Sequence, residues 1–181
     1  MRLNRYFLAV VLMMLAAILF RVAKVPFQSA YPVLLNFSPV AALSLFGAAY
    51  LKNKKFAFFV PVAIMFLSDC ILGFHSTMFF TYGSFALISL LGFSIFENKI
   101  SSTRVLVASL SASLIFFLVT NFGVWLMQSM YAKNMNGLVD CYIAAIPFLK
   151  GSLLGDLIFS AALFGAFEWI KQTNWLVKAK A

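Results

Sequence analysis

The residues best suited to chemistry lie in a ten-residue stretch, positions 66–75, which reads FLSDCILGFH. An apolar run ends there in a carboxylate, a thiol, a helix-breaking glycine and the chain's single histidine. An ionised carboxylate at membrane depth is costly, so we expect Asp69 to face a cavity or a partner and not lipid. We expect His75 to be a turn residue or a hydrogen-bond partner of Asp69.

Cys70, beside this carboxylate, allows three interpretations. As a thiolate it is a soft ligand for a transition metal, such as the cobalt of a corrinoid bound from outside. It could instead form a disulfide with Cys141, if both thiols lie on an oxidising outer side. The third interpretation is a small buried apolar residue. Two cysteines and one histidine cannot supply four tetrahedral ligands without carboxylates, so we expect no zinc site.

The elements that position these residues belong to a chain with the composition of an integral membrane protein. Its 181 residues are 64% hydrophobic and 10% charged, whereas soluble domains average about 45–50% apolar and about 25% charged. The mean hydropathy is +0.98. The basic residues, which give a net charge of +9, separate apolar runs and form no patch with aromatics. We therefore expect a lipid bilayer as the surroundings and no nucleic-acid partner.

The apolar runs predict an all-α protein, a compact bundle of six transmembrane helices in a single domain, residues 1–181. The predicted spans are approximately residues 6–22, 33–51, 56–72, 78–96, 105–127 and 152–170. The second span is expected to break near Asn36, because Ser38 followed by Pro39 is typical of a helix start. Such a break either lines a cavity or is a loop before a short helix.

One further apolar segment, residues 138–148, is too short to cross a membrane, and Pro147 is expected to end it. We therefore predict a re-entrant or interfacial segment there.

The basic residues predict the orientation of the six spans. With the N-terminus inside, the inner side holds ten of them: Arg2, Arg5, Lys52, Lys54, Lys55, Lys99, Arg104, Lys171, Lys178 and Lys180. The outer side holds four: Arg21, Lys24, Lys133 and Lys150. Because cytoplasmic loops are enriched in lysine and arginine, this distribution places both termini in the cytoplasm.

Under this topology five polar islands face outward: residues 36–39, 68–75, 120–125, 136–147 and the start of the sixth span. Asp156, two turns into that span, is hard to explain as lipid-facing. The islands predict an outward-open pocket with polar anchors in an aromatic wall. The candidate substrate-binding residues are Asn36, Ser38, Asp69, His75, Tyr82, Asn121, Trp125, Tyr142 and Asp156, with Cys70 as candidate cobalt ligand.

Several short motifs resemble an uncharacterised family of bacterial six-helix membrane proteins. They are the stretches NFSP at 36–39, SD at 68–69, GFH at 73–75, TNFGVW at 120–125, GL at 137–138, CY at 141–142 and AIPF at 145–148. That family looks like the substrate-binding S-components of energy-coupling-factor (ECF) vitamin transporters. The resemblance implies a multi-pass protein of the bacterial cytoplasmic (inner) membrane.

The resemblance also implies a function. S-components bind a vitamin from the outer side and deliver it by toppling in the membrane, usually on a shared transmembrane coupling subunit powered by two ATPases. The first helix has no pair of alanines four residues apart, a departure from the docking motif of that family, so a solitary transporter is an alternative. The BtuM cobalamin-uptake family is similar in size and uses a cysteine as cobalt ligand, and Cys70 is the position to match to it.

Three functions follow as expectations. The first is uptake of a vitamin-like molecule, cobalamin before riboflavin or a similar flat heterocycle, with no intrinsic cofactor and no enzymatic reaction. The second is a membrane thiol-disulfide oxidoreductase using Cys70 and Cys141, although neither belongs to a C-x-x-C pair. The third is a structural or assembly subunit without a ligand.

Overall fold

A computed structural model describes residues 5–31 and 34–172 of the chain. Its helices are α1 (Arg5–Ala23), α2 (Val40–Tyr50), α3 (Lys54–Leu72), α4 (Met78–Phe96), α5 (Ser102–Met127) and α6 (Met135–Gln172), with a short 3-10 turn, Val25–Phe27, after α1. No strand occurs in this part of the chain. Three of the basic residues counted for the orientation, Arg2, Lys178 and Lys180, lie outside the described residues. So does Val33, the first residue of the predicted second span.

Five of the six helices are long and apolar enough to cross a membrane, as expected of a multi-pass membrane protein. The helices α1, α3, α4 and α5 begin and end within three residues of the predicted spans, and α4 has the predicted bounds. The prediction of a helical membrane protein is confirmed at this level.

The second predicted span is wrong in length. α2 has 11 residues, which makes it about 16 Å long, whereas the hydrocarbon core of a bilayer is about 30 Å thick. Its first eight residues are all buried, because α3, α4, α5 and α6 surround it. A helix that is apolar on every face suits such an enclosed position. Hydropathy alone does not distinguish such an enclosed helix from a helix that faces lipid.

The predicted re-entrant or interfacial segment at residues 138–148, with its expected end at Pro147, is also wrong. Residues 138–148 are not a separate segment but the first part of α6, which has 38 residues and continues through the proline. Proline removes one backbone hydrogen bond, and membrane helices tolerate that loss when neighbouring elements compensate. At about 57 Å, α6 is longer than a bilayer's hydrocarbon core is thick.

Two glycines set the shape of one end of the bundle. Gly73 ends α3 with a φ of 94°, a conformation that favours glycine, and its N–H donates to the carbonyl of Asp69. Gly155 of α6 lets the chain before α2 approach closely. A Cβ on Gly155 would lie 3.0 Å from the backbone nitrogen of Ser38.

Candidate functional site

A cavity of about 730 Å³ opens at one end of the bundle. This is the end where α1, α3 and α5 finish and where α2, α4 and α6 begin. Each of the five predicted polar islands contributes at least one lining residue. The islands are far apart in sequence, and the antiparallel order of the helices brings them together.

Six of the nine predicted binding residues line this cavity: Asn36, Ser38, Asp69, His75, Asn121 and Asp156. Asn36 and Ser38 lie in the non-helical segment before α2. This segment lines the cavity, as the first interpretation of the break at Asn36 expects, and it is also the loop before a short helix that the second interpretation expects. The helix itself begins one residue later than expected, at Val40, whose N–H is 3.4 Å from the hydroxyl of Ser38.

The other three predicted residues are outside the cavity lining, and each donates a hydrogen bond within the protein. The phenol of Tyr82 donates to Asp69 Oδ2 at 2.8 Å. The indole of Trp125 donates to the carbonyl of Ala132 at 2.9 Å, and the phenol of Tyr142 donates to that of Leu118 at 2.8 Å. None of these three aromatic side chains belongs to the cavity lining, so the prediction that they line the pocket is wrong.

The two cysteines are free thiols, so the alternative of a Cys70–Cys141 disulfide is wrong. Cys70 is exposed and lies outside the cavity lining, and its expected placement as a cobalt ligand in the pocket is wrong for that reason. A helix turns about 100° per residue, so the neighbours Asp69 and Cys70 face different directions. Cys141 does line the cavity, and its Sγ is 3.4 Å from the carbonyl oxygen of Asn121.

Asp69 is the centre of a polar network at the cavity wall. It is only 1% exposed. Arg21 from the end of α1 donates to its Oδ1 at 2.8 Å, and Tyr82 donates to its Oδ2. His75 Nε2 lies 4.0 Å from Oδ2, while its Nδ1 is 3.0 Å from the hydroxyl of Thr77. A buried carboxylate with a cation and a phenol as donors is well compensated.

Lys24 holds the non-helical segment in place. Its ammonium group donates to the carbonyls of Leu34, Leu35 and Phe37 at 2.9, 3.0 and 2.8 Å. These carbonyls lie before the start of α2 and have no helical partner, so the lysine compensates for the missing helix. The lysine thereby ties the end of α1 to this wall of the cavity.

Asp156 occupies the part of the cavity where α6 packs against α5. It is 4% exposed, and its Oδ2 accepts a hydrogen bond from the hydroxyl of Ser113 at 2.6 Å. One turn further along α6, the hydroxyl of Ser160 is buried without a partner among the described residues. The surroundings of Asp156 thus contain hydroxyl groups and no cation within salt-bridge distance in the described residues.

The rest of the lining combines apolar walls with a few neutral hydrogen-bonding groups. The apolar members are Val25, Leu35, Ala41, Met65, Leu72, Phe85, Phe116, Val124, Met130, Ala144, Ala145 and Phe148. The additional polar members are Gln28, Thr77, Thr81, Thr120, Gln128, Tyr131 and Ser152. Within the described residues, no group of three or more His, Cys, Asp or Glu side chains could hold a metal ion. This combination is typical of a site for an organic molecule.

Sequence reasoning missed the two cations of the site. Arg21 and Lys24 entered the prediction only as outer basic residues that report the topology. A signal was nevertheless present, since Arg21 follows directly on the apolar run that ends at Phe20 and Lys24 comes three residues later, so both lie near its boundary. Their partners are 48 and 10–13 residues away in sequence, and no local pattern identifies such pairs.

Comparisons with known proteins place the chain in a family. The model of a family of unknown function, DUF6580, matches residues 1–178. The chain belongs to DUF6580. No curated protein and no solved structure matches the chain. The function of this DUF6580 member must therefore be argued from its own cavity.

Proposed function

We propose that this DUF6580 protein is a substrate-binding membrane subunit or a solitary transporter for the uptake of a vitamin-like small molecule. The observation that carries the proposal is the cavity of about 730 Å³, which combines apolar walls with convergent polar groups. Sites for small organic molecules have volumes of roughly 300–1,000 Å³ and the same mixed lining.

The distribution of charge supports an outward-facing cavity. The bundle end opposite the cavity carries Lys52, Lys54, Lys55, Lys99, Arg104 and Lys171. Under the positive-inside rule that end faces the cytoplasm, so the cavity opens to the outside of the bacterial inner membrane. The ligand would then enter from the side on which a nutrient arrives.

The volume of the cavity and the placement of Cys70 outside its lining favour a flat heterocycle, of which riboflavin is one example, over cobalamin. An intact cobalamin carries a corrin ring and a nucleotide arm, and it is much larger than a two- or three-ring heterocycle. In addition, Cys70, the intended cobalt ligand, is exposed and outside the cavity lining. The resemblance to S-components supports a partnership with an ECF-type coupling subunit and its ATPases, which would supply the energy.

In the experiment, the purified protein in mild detergent is titrated with riboflavin and with cobalamin, and calorimetry measures the heat of binding. Two adjacent α6 residues give a matched pair of variants. Ala144 lines the cavity, whereas Ile143 is exposed on the outer surface and is not part of the lining. Ala144→Trp adds a large side chain at the cavity wall, and Ile143→Trp adds the same side chain outside the cavity.

We expect saturable one-to-one binding of at least one vitamin by the wild type and by Ile143→Trp. In Ala144→Trp the affinity should fall by about tenfold or more, equivalent to about 1.4 kcal/mol. If neither vitamin binds and hot-solvent extracts of the protein contain no bound compound, the proposed function is wrong, and a structural or assembly role takes its place.

A further inference from the structure

One carboxylate of the cavity has a hydrogen-bonding capacity that the protein does not use. Asp156 is 4% exposed and lines the cavity. Its Oδ2 accepts from Ser113 at 2.6 Å, and this is its one hydrogen bond to the described residues. Its Oδ1 therefore remains available to a donor inside the cavity. In its ionised form, a buried carboxylate with a single neutral donor is costly unless a further donor or a cation arrives.

The two cations of the cavity wall are engaged elsewhere. Arg21 donates to Asp69 at 2.8 Å. Lys24 donates to three backbone carbonyls, which corresponds to the three hydrogens of its ammonium group. His75 lies beside Asp69 and Thr77. The cations of the described lining thus have other partners, and Asp156 has none of them within 4.0 Å.

The amino end of α2 lies at the same cavity. Ala41, in the first turn of α2, lines the cavity, and the backbone nitrogen of Ser38 lies against Gly155, the neighbour of Asp156. A helix amino end carries the equivalent of about half a positive charge. A partial charge of this size does not replace a cationic partner for the carboxylate.

We propose that the ligand of this cavity carries a cationic nitrogen group, and that an N–H of this group donates to Asp156. This inference rests on the proposed function, since it names the chemical class of the molecule that the cavity takes up. Apolar walls, which include Phe116 and Phe148, accommodate the remainder of the ligand. A flat heterocycle that carries a nitrogen base protonated at neutral pH meets both requirements, whereas riboflavin, which is neutral at pH 7, meets only the second, so binding of riboflavin at Asp156 would support the proposed function and contradict this inference.

The test uses two probes of nearly identical shape, benzamidinium and benzamide. Benzamidinium is a cation with N–H donors on a phenyl ring, whereas benzamide is neutral. Binding of each to the full-length protein is measured in mild detergent at pH 7 by calorimetry and by the shift in Tm. The wild type is expected to bind benzamidinium about tenfold or more tightly than benzamide, since hydrogen bonds to charged groups are the stronger class.

Two variants of α6 separate a local contact from a general effect of charge. Asp156→Asn removes the carboxylate from the cavity, and we expect it to abolish the preference for benzamidinium. Asp140→Asn removes the same charge from the same helix at an exposed position outside the lining, and we expect it to retain the preference. The comparison of the two probes on the wild type stands even if Asp156→Asn does not fold.

The outcomes distinguish this inference from the proposed function. Equal responses of the wild type to the two probes, or a preference that persists in Asp156→Asn, would overturn the inference. A neutral compound found bound in the cavity of the purified protein would also overturn it while leaving the proposed uptake function intact. A protein that contains no bound compound and binds no vitamin would overturn both.

Discussion

Asp69 and Asp156 line the same cavity and are almost equally buried, but their surroundings differ. Asp69 has an arginine and a phenol as donors at 2.8 Å, whereas Asp156 has one serine hydroxyl. The first arrangement satisfies its carboxylate from within the protein and ties α1, α3 and α4 together. The second leaves capacity for something that the protein does not supply. The comparison separates a carboxylate that the protein satisfies with its own donors from one with unused hydrogen-bonding capacity, the feature on which the proposed cationic ligand rests.

The largest expected effect comes from breaking the satisfied pair. Arg21→Met leaves Asp69 buried without its cation, and we expect a loss of about 3–5 kcal/mol in the free energy of unfolding. Unfolding by SDS in mixed micelles, followed by circular dichroism, measures the change. The double variant Arg21→Met/Asp69→Leu removes the uncompensated charge and should recover most of the loss. An unchanged stability of Arg21→Met would show that the ion pair does not support the fold.

A smaller effect is expected from Lys24→Met, which removes the donor for the carbonyls before α2. The loss of hydrogen bonds from a charged group should cost about 1.5–3 kcal/mol and weaken ligand binding, because the segment forms a wall of the cavity. Lys52→Met, at an exposed loop position, is the matched control and should change neither quantity. Equal effects of the two variants would mean that Lys24 acts only through overall charge.

The close approach of α6 to the segment before α2 can be tested through two glycines of α6. Gly155→Ala places a Cβ 3.0 Å from the nitrogen of Ser38, so the segment beside Asp156 must shift, at a cost of about 1–2 kcal/mol. Gly165→Ala meets nothing within 4 Å and should stabilise the helix by a few tenths to about 1 kcal/mol. Chemical denaturation of both variants checks the sign. Identical changes in the stability of the two variants would contradict the close approach of Gly155 to Ser38.

For Asp156 itself the comparison predicts a small effect on the empty protein. Asp156→Asn removes a carboxylate that has no cationic partner, so the stability without ligand should change by less than about 1 kcal/mol, or increase. The free energy of unfolding of Asp156→Asn is measured together with that of Asp140→Asn, which is the control. A loss as large as that of Arg21→Met would show that Asp156 is a structural residue, and it would remove the difference between the two carboxylates.

The smallest effect is expected at Cys70, the neighbour of Asp69 in sequence. Cys70→Ala should leave both stability and vitamin binding unchanged, within about 0.5 kcal/mol for an exposed position away from special features. Binding titrations of the variant with riboflavin and cobalamin check this. A loss of cobalamin binding in Cys70→Ala would return the thiol to the site and overturn its placement outside the cavity.

Much of the architecture followed from hydropathy, because long helices of limited charge show directly in the sequence. The bounds of α4 and the glycine turn after α3 are examples. The length of α2 could not be predicted from hydropathy, since the same apolar residues suit a membrane span and a short helix enclosed by its neighbours. The continuity of α6 was missed because Pro147 is a helix breaker in local rules, while tertiary packing tolerates it.

The candidate site was predictable where a costly residue had to be explained. Asp69 and Asp156 were identified because an acid within an apolar run needs a partner. The nature of each partner was not predictable, since Arg21 and Ser113 lie 48 and 43 residues away from them. The aromatic residues Tyr82, Trp125 and Tyr142 were misplaced because helical spacing shows which residues share a face, but not which element that face meets.

The most direct test of the central claim is native mass spectrometry of the purified protein without added ligand, beside Ala144→Trp and Ile143→Trp. We predict that the wild type and Ile143→Trp carry one bound small molecule per chain, and that Ala144→Trp carries none. A wild-type mass equal to that of the polypeptide alone, or the same bound molecule in Ala144→Trp, would contradict the claim that this cavity is a binding site.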